Sequence, residues 1–299
     1  MTGILPKKQK IYDCVIFILS HTNPDGVLTV KALEKYGYTG RWYILLDDED
    51  PTIERYVANY GEENVLTFNK DEVAKTFDRM DNETATNTAV YARNACFDVA
   101  KKLGYKYFME YDDDYYEFQF RYNEDGHLRA LFPTDLDLVF ECLLDYYISV
   151  PTMKTLCIAQ NGDFLGGTDG SHFKARWMRK AMNTFICSVD RPFTFVGWLN
   201  EDVNTYCIGG QRGDLFCTVM DVSINQTDTQ QKVHSNGLTG PYVGDGTYRK
   251  SFYTVMCCPS FTKIGIIGNN HARIHHNVMW ANAVPKIISE KYRRKNNET

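Results

Sequence analysis

The chain has 299 residues, 43% hydrophobic and 24% charged, close to globular averages, which excludes disorder or low complexity as its organising feature. Its formal net charge of −5 speaks against a protein that coats nucleic acid nonspecifically, since that binding rests on many Lys/Arg contacts to phosphate. No apolar run reaches the roughly 18 to 20 residues of a membrane span and Met1 to Lys10 is polar and basic, so a soluble cytoplasmic protein with no membrane partner is expected.

The nine cysteines are odd in number and scattered, and Cys257 and Cys258 are adjacent, which is wrong for a zinc-type pair; reduced thiols are the expectation. Sequons at Asn82, Asn225 and Asn297 then carry no weight. A chain of this length commonly keeps one continuous α/β core, and no linker divides it.

Cys14 to Leu19 is a short apolar run, as a strand buried on both faces should be, and it ends at Ser20-His21. Pro24, Asp25 and Gly26 supply turn chemistry before a helical stretch with Leu28, Ala32, Leu33 and Tyr36 on one face, closed by Gly37. A second strand, Trp42 to Leu46, runs into Asp47-Asp48-Glu49-Asp50, and Val65 to Phe68 is a weaker third. Around Thr88 to Leu103 the spacing of Ala89, Ala92, Cys96, Val99, Ala100 and Leu103 predicts a helix stopped by Gly104. Tyr107 to Met109 is the next strand, followed by Asp112-Asp113-Asp114. Alternation from Phe118 to Tyr122, a turn at Asn123 to Gly126 and a return over Leu128 to Phe132 predict a hairpin. Thr134 with Asp137 reads as a capping box for a helix ending before Pro151. Past residue 155 the periodicity weakens, and this half reads as a loop-rich surface over the sheet's edge, with no internal repeat. The fold class is therefore α/β, a mixed and mainly parallel sheet flanked by helices.

In open α/β sheets ligands lie outside the carboxyl ends of the strands, where Ser20-His21, Asp47 to Asp50 and Asp112 to Asp114 should face one crevice. Asp112 and Asp114 can hold Mg²⁺ or Mn²⁺, hard cations that take one or two carboxylates plus phosphate oxygens and water. An ion bridging two phosphates makes a nucleoside diphosphate a tolerable leaving group, which is the chemistry of sugar transfer. Three Asp in a row also suit a solvated turn, but Tyr105, Tyr107, Phe108, Tyr111, Tyr115 and Tyr116 around them point to a partly buried site, where crowded carboxylates call for a cation.

Arg93, at the edge of its helix's apolar stripe, needs an anionic partner, either a pyrophosphate or one of the Asp residues. Asp47, Asp48 and Asp50 could accept from a nucleobase or ribose, or cap a helix ahead of Pro51. Glu201 and Asp202 follow Gly197-Trp198-Leu199-Asn200 at a helix start, where they complement the macrodipole or supply a general base. Asn269-Asn270-His271, with His275 and His276, could give the metal or the phosphates an imidazole, and His275 is taken as that ligand. Basic patches lie at Lys174, Arg176, Arg179 and Lys180, and at Lys291, Arg293, Arg294 and Lys295; solvated surface explains either.

The order of these motifs resembles a GT-A glycosyltransferase of the family-2 kind, with Ala92-Arg93-Asn94-Ala95 on a helix, Asp112-Asp113-Asp114 and a later Glu201-Asp202. More narrowly, Ser20-His21, Pro24-Asp25-Gly26, Tyr36-Gly37-Tyr38-Thr39-Gly40, Leu46-Asp47-Asp48-Glu49-Asp50 and Asp112 to Tyr116 resemble the TET-associated glycosyltransferases of bacteriophages, themselves similar to the base J glucosyltransferase. The match is close over residues 11 to 120 and looser to about 280. The resemblance implies transfer of a hexose, glucose first, from a UDP-sugar to the hydroxymethyl group of a modified pyrimidine in phage DNA, in the host cytoplasm. It implies metal binding by Asp112 and Asp114, a uridine-side acid at Asp47 or Asp48, a donor-side arginine at Arg93, and Asp202 as the base of an inverting reaction. Thr22-Asn23 departs from the basic residue expected in the first loop.

On this reading residues 11–125 form the nucleotide-sugar and metal half, with Ser20, His21, Asp47, Asp48, Asp50, Arg93 and Asp113 on the donor. Residues 126–285 form the acceptor half and 286–299 a basic tail. A hydroxymethyl group in duplex DNA projects into the major groove, so the enzyme approaches there or extrudes the nucleotide. Gly162 to Gly170, Trp177 and Trp198 could line such a pocket, with Gly166, Gly167 and Trp198 as acceptor contacts. No obligate protein partner is implied. A glycan, protein or already glycosylated base as acceptor, and a catalytically silent nucleic-acid- or nucleotide-binding module, are the competing readings; a nucleotidyltransferase would carry a basic Gly-rich loop that Ser20 to Gly26 lacks.

Overall fold

A computed structural model describes residues 13–80, 88–175, 178–227, 246–267 and 273–285. Its main sheet contains β1 (Cys14–Leu19), β2 (Trp42–Asp47), β3 (Val65–Phe68), β4 (Tyr107–Asp112), β5 (Tyr115–Glu124), β6 (His127–Leu131), β7 (Met153–Gln160), β8 (Phe185–Ser188) and β9 (Leu215–Gln226). The helices are α1 (Leu28–Lys35), α2 (Ile53–Tyr60), α3 (Lys70–Ala74), α4 (Ala89–Leu103), α5 (Leu136–Ser149), α6 (Ser171–Lys174), α7 (Glu201–Gln211), α8 (Gly246–Cys257) and α9 (Trp280–Ala283). A separate two-stranded antiparallel sheet pairs β10 (Thr262–Ile267) with β11 (Arg273–Val278).

The nine strands lie in the order β3-β2-β1-β4-β8-β7-β9-β5-β6. The first four are mutually parallel; β8 and β5 run against their neighbours, while β7, β9 and β6 run with the first four. Seven of the nine therefore point one way, so the carboxyl ends of β1, β2, β4, β7 and β9 share one edge.

Strand β1 shows why a continuous apolar run was required. Ile16 and Ile18 enter a core formed with α1, α2 and α5, while Val15, Phe17 and Leu19 enter a second core formed with α4 and α7. With helices on both faces each alternate position is dry, and every fully buried Ile or Phe contributes about 1.5–3 kcal/mol. Helix α4 ends as predicted at Gly104, whose φ of 82° lets its own N–H reach Lys101 O and that of Tyr105 reach Ala100 O, a Schellman closure. The hairpin turns at Asp125 and Gly126, with φ of 50° and 82°, the two positive values a tight two-residue connection needs.

The second half is not a loop-rich cover over the sheet's edge. It supplies β8, β7 and β9 to the sheet's interior, between β4 and β5. These strands escape a periodicity test because β7 is buried on both faces and β8 is only four residues long. The capping box at Thr134 is also displaced by one residue: Asp135 caps α5, accepting from Leu138 N, and Asp137 instead takes the amide and hydroxyl of Thr39. All nine cysteines are unpaired. Asn225 is buried in β9 with its Nδ2 on Glu117, so that sequon offers no acceptor. No helix among the described residues is long and apolar enough to cross a membrane.

Candidate active site

Ser20, Asp47 and Asp112 emerge at the same edge of the sheet because β1, β2 and β4 are parallel and in register. The start of α1 fixes the acidic turn. No side chain caps this helix; instead Leu28 N and Thr29 N donate to Asp113 O at 2.8 and 3.2 Å, satisfying two of its orphan amides. Thr29 Oγ1 then donates to Asp112 O at 2.6 Å and accepts from Tyr115 N at 3.0 Å. With its backbone held on both sides, the turn sends its three carboxylates to three different partners.

Asp112 goes to Arg93. The guanidinium is 2% exposed, with Nη2 2.9 Å from Asp112, Nε 3.0 Å from Glu201 Oε1 and Nη1 3.7 Å from the fully buried Glu110. Phe185 and Phe195 lie 5.1 and 5.9 Å from it. Burial opposes its charge, but Asp112, Glu201 and Glu110 outweigh that and hold it protonated. Burial likewise pushes the carboxyls of Asp112, Glu201 and Glu110 up, against the pull of Arg93. One guanidinium thus faces three acids.

Asp113 goes to the first loop, accepting from Ser20 Oγ at 2.5 Å and Asn23 Nδ2 at 2.9 Å. Tyr56, whose OH meets Ser20 Oγ and accepts from Asn23 N, braces the same loop. Gly26 leaves room for this: a Cβ there would sit 2.1 Å from Asn23 Oδ1. Asp114 accepts from Thr227 Oγ1 at 2.8 Å through Oδ2, while its Oδ1 is buried without a partner. Burial, with Asp112 adding its charge, pushes the Asp114 carboxyl up to about 7.

On the β2 side, Asp47 meets His21 Nδ1 at 2.9 Å and Lys70 Nζ at 3.6 Å. Although burial works to raise it, these partners hold its carboxyl below the usual range. Asp50 accepts from Thr22 N and Thr52 N, and Asp48 from Lys70 N and Asn69 Nδ2. Asp48 and Asp50 therefore brace the loops, whereas Ser20, His21, Asp47 and Asp113 form the wall beside the acidic turn.

Glu201 and Asp202 open α7, brought to the turn by Arg93, and Asp202 is 9% exposed. Asn200 does not cap this helix with its side chain, which donates to Lys250 O and Thr254 Oγ1. Trp198 is buried against Tyr253 with Arg249 over its ring, so it does not line an open pocket. The loop of Gly166 and Gly167, both at positive φ, is tied by Thr168 to Gly126 at the far tip of the hairpin. A ten-residue strand separates that tip from Asp114, on the order of 30 Å, so these glycines are not gathered with the carboxylates.

His275 stacks on His276 in β11, and no three His, Cys, Asp or Glu side chains among the described residues form a metal-binding group, so His275 is not brought to Asp112 and Asp114. His271, Arg176, Trp177 and residues 286–299 lie outside the described residues. In the central basic patch Arg179 is buried on Asp163 and Lys174 pairs with Asp169. A cavity of about 870 Å³ opens between α5 and β9, lined by Leu138, Leu143 and Met220, and none of the site carboxylates reaches it.

Sequence reading missed Asn23, Tyr56, Lys70, Glu110 and Thr227. Glu110 had a visible signal, an acid inside the apolar run Tyr107–Tyr111, which demands a buried cation. Thr227 had none.

Replacing Arg93 by Met leaves its acids without their cation and should cost about 3–5 kcal/mol in urea unfolding, whereas Glu110→Gln, which substitutes a neutral isostere for a carboxyl whose charge burial opposes, should cost under about 1 kcal/mol. Equal losses would refute this charge assignment. For Asp114, a folded pKa above the unfolded one means stability is greatest below about pH 4 and falls as pH rises to about 7. Asp114→Asn should flatten that slope in metal-free protein; an unchanged slope would place the titration elsewhere.

The sequence has no significant match among curated proteins. Similar solved structures include glucosyl-3-phosphoglycerate synthase of Mycobacterium tuberculosis with Mn²⁺, uridine diphosphate and phosphoglyceric acid, at 9% identity, covering 89% of this chain and 87% of that one, TM-score 0.44. The same synthase with Mn²⁺ and UDP-glucose gives 9% identity, 88% and 86% coverage and a TM-score of 0.45. The model of the TET-Associated Glycosyltransferase family matches residues 14–235, well over half of the chain and the whole of the acidic site described above. The chain belongs to the TET-associated glycosyltransferases.

Proposed function

We propose that this glycosyltransferase moves a hexose, glucose first, from a UDP-sugar to the hydroxymethyl group of a modified pyrimidine in DNA, with Mn²⁺ or Mg²⁺ held by Asp112 and Asp114. The observation that carries the reading is the Arg93 bridge, which sets Asp112 and Glu201 on one guanidinium. It joins the acidic turn to the acids at the start of α7.

The residues fit a divalent ion: Asp114 Oδ1 is a buried, unpartnered acceptor beside an excess of carboxylate. With Asp112 and Asp114 as the two proposed side-chain ligands among the described residues, the remaining positions suit phosphate oxygens and water. When bound, the ion would neutralise charge on the departing diphosphate. Ser20, His21, Asp47 and Asp113 would hold the nucleotide end. Arg93 acts through its partners, fixing the orientation of Asp112 and of α7. Asp202 would accept the proton of the acceptor hydroxyl as its oxygen attacks the anomeric carbon opposite the leaving diphosphate, giving inversion.

A second reading, a glycan, protein or already glycosylated base as acceptor, draws on the neutralised central patch, where Arg179 and Lys174 are paired with acids. Steep weakening of acceptor binding with salt favours DNA; salt-independent binding favours the other.

The direct test is mass spectrometry of nucleosides from hydroxymethylpyrimidine DNA incubated with the protein, Mn²⁺ and a panel of UDP-sugars. A hexose gain on one nucleoside supports the reading, and UDP release without any gain moves the acceptor elsewhere. In the same assay Asp114→Ala should abolish transfer. Asp202→Asn should keep donor binding while slowing turnover by roughly 10²–10⁴; wild-type turnover in that variant would remove Asp202 from the role of base.

A further inference from the structure

Beyond the metal turn, on the side away from β1 and β2, the edge of the sheet carries the ends of β7 and β9 and the residues that lead into β8. Three amide side chains meet there. Gln160 closes β7, Gln226 closes β9, and Asn183 precedes β8. Tyr115, next to Asp114, pairs with Gln226 across the sheet, and Thr227 is the residue that bonds Asp114. The amides therefore adjoin the proposed metal site on the flank opposite the β1 and β2 loops.

Their orientation is dictated by a lysine. Lys180 Nζ can only donate, and it lies 3.2 Å from Gln160 Oε1, which turns the Gln160 amide nitrogen toward Gln226. Gln160 Nε2 donates to Gln226 Oε1 at 3.3 Å, and Asn183 Nδ2 donates to the same oxygen at 2.9 Å. Two amide nitrogens converging on one atom require that atom to be oxygen. What remains is the NH₂ of Gln226, a double donor, and Oδ1 of Asn183, an acceptor, carried on two side chains joined by that hydrogen bond, neither with a partner among the described residues. Both side chains are half-buried.

Asn183 is held there under strain. Its φ of 66° lies in the left-handed region, and its carbonyl accepts from Tyr115 OH. Such strain persists where surrounding contacts enforce it, and it gathers at binding sites.

We infer that Gln226 and Asn183 form a donor–acceptor pair that reads the base edge of the acceptor pyrimidine. This rests on the hydroxymethylpyrimidine reading above. A pyrimidine extruded from the duplex presents, on its Watson–Crick edge, ring N3 beside its C4 substituent, one a donor and the other an acceptor: N3–H and O4 in a uracil-type base, N3 and the amino group in a cytosine-type base. An NH₂ and an amide oxygen held on two mutually bonded side chains supply the donor and the acceptor that either pair needs, with the order setting the base's pose. Leaving one such half-buried group unmatched is what rejects a wrong base.

The test uses the full-length protein with Mn²⁺, UDP-glucose and oligonucleotides carrying 5-hydroxymethyluracil or 5-hydroxymethylcytosine. Gln226→Glu keeps the shape and removes the donor; Asn183→Gly removes the acceptor and suits the positive φ. Both should raise the acceptor KM about tenfold or more, with the donor KM and acceptor-free UDP release within about twofold of wild type. Wild-type acceptor KM in both variants, or an equal rise in donor KM, overturns the assignment. If the wild-type protein releases UDP but glucosylates neither oligonucleotide, the hydroxymethylpyrimidine reading fails first, and the base-edge assignment with it.

Discussion

One buried guanidinium answering three acids, one of them fully buried and two half-buried, is the constraint on which the site depends. Arg93 sits among Asp112, Glu201 and Glu110 with almost no solvent, and Asp114 adds a further half-buried carboxyl beside them. A single positive charge cannot balance that set. Part of the imbalance is relieved by protons, as the upward shifts of Glu110 and Asp114 indicate. On the proposed reading, a divalent cation held by Asp112 and Asp114 would relieve the rest. The same excess of carboxylate is what a cation bound there would answer.

The same bridge accounts for how distant parts of the chain act together. Arg93 on α4 bonds Glu201 on α7, 108 residues away, and Asp112 on β4. Meanwhile α1 has its first amides on the carbonyl of Asp113, so the helix cannot shift without moving the acidic turn. Asp114 is tied through Thr227 to the end of β9. The first loop, the acidic turn, the start of α7 and the end of β9 are therefore joined by side-chain bonds that run from one three-residue turn.

Much of this was legible in the sequence where the signal was local. The apolar run of β1, the Asp-Gly hairpin turn, the closure of α4 at Gly104 and the acids at the ends of β2 and β4 each announce themselves within a few residues. Arg93 was legible as a cation in need of an anion, though not which anion. What was hidden depends on pairing across the chain. Strands β7, β8 and β9 insert into the middle of the sheet, a placement set by tertiary partners rather than by periodicity. Asp48 and Asp50 read as candidate ligands because the sequence does not show the Lys70, Asn69, Thr22 and Thr52 groups that occupy them. Trp198 read as a pocket wall because its partners Tyr253 and Arg249 lie some fifty residues further on.

If the excess of buried carboxylate is what the metal and donor answer, binding of the nucleotide must require the cation. The decisive measurement is calorimetric titration of UDP into the protein at pH 8, with Mn²⁺ and then with a chelator. Tight binding is expected with Mn²⁺ and no measurable binding without it, because the diphosphate would then face Asp112, Asp113 and Asp114 unscreened. Equal affinity in the two titrations would contradict it.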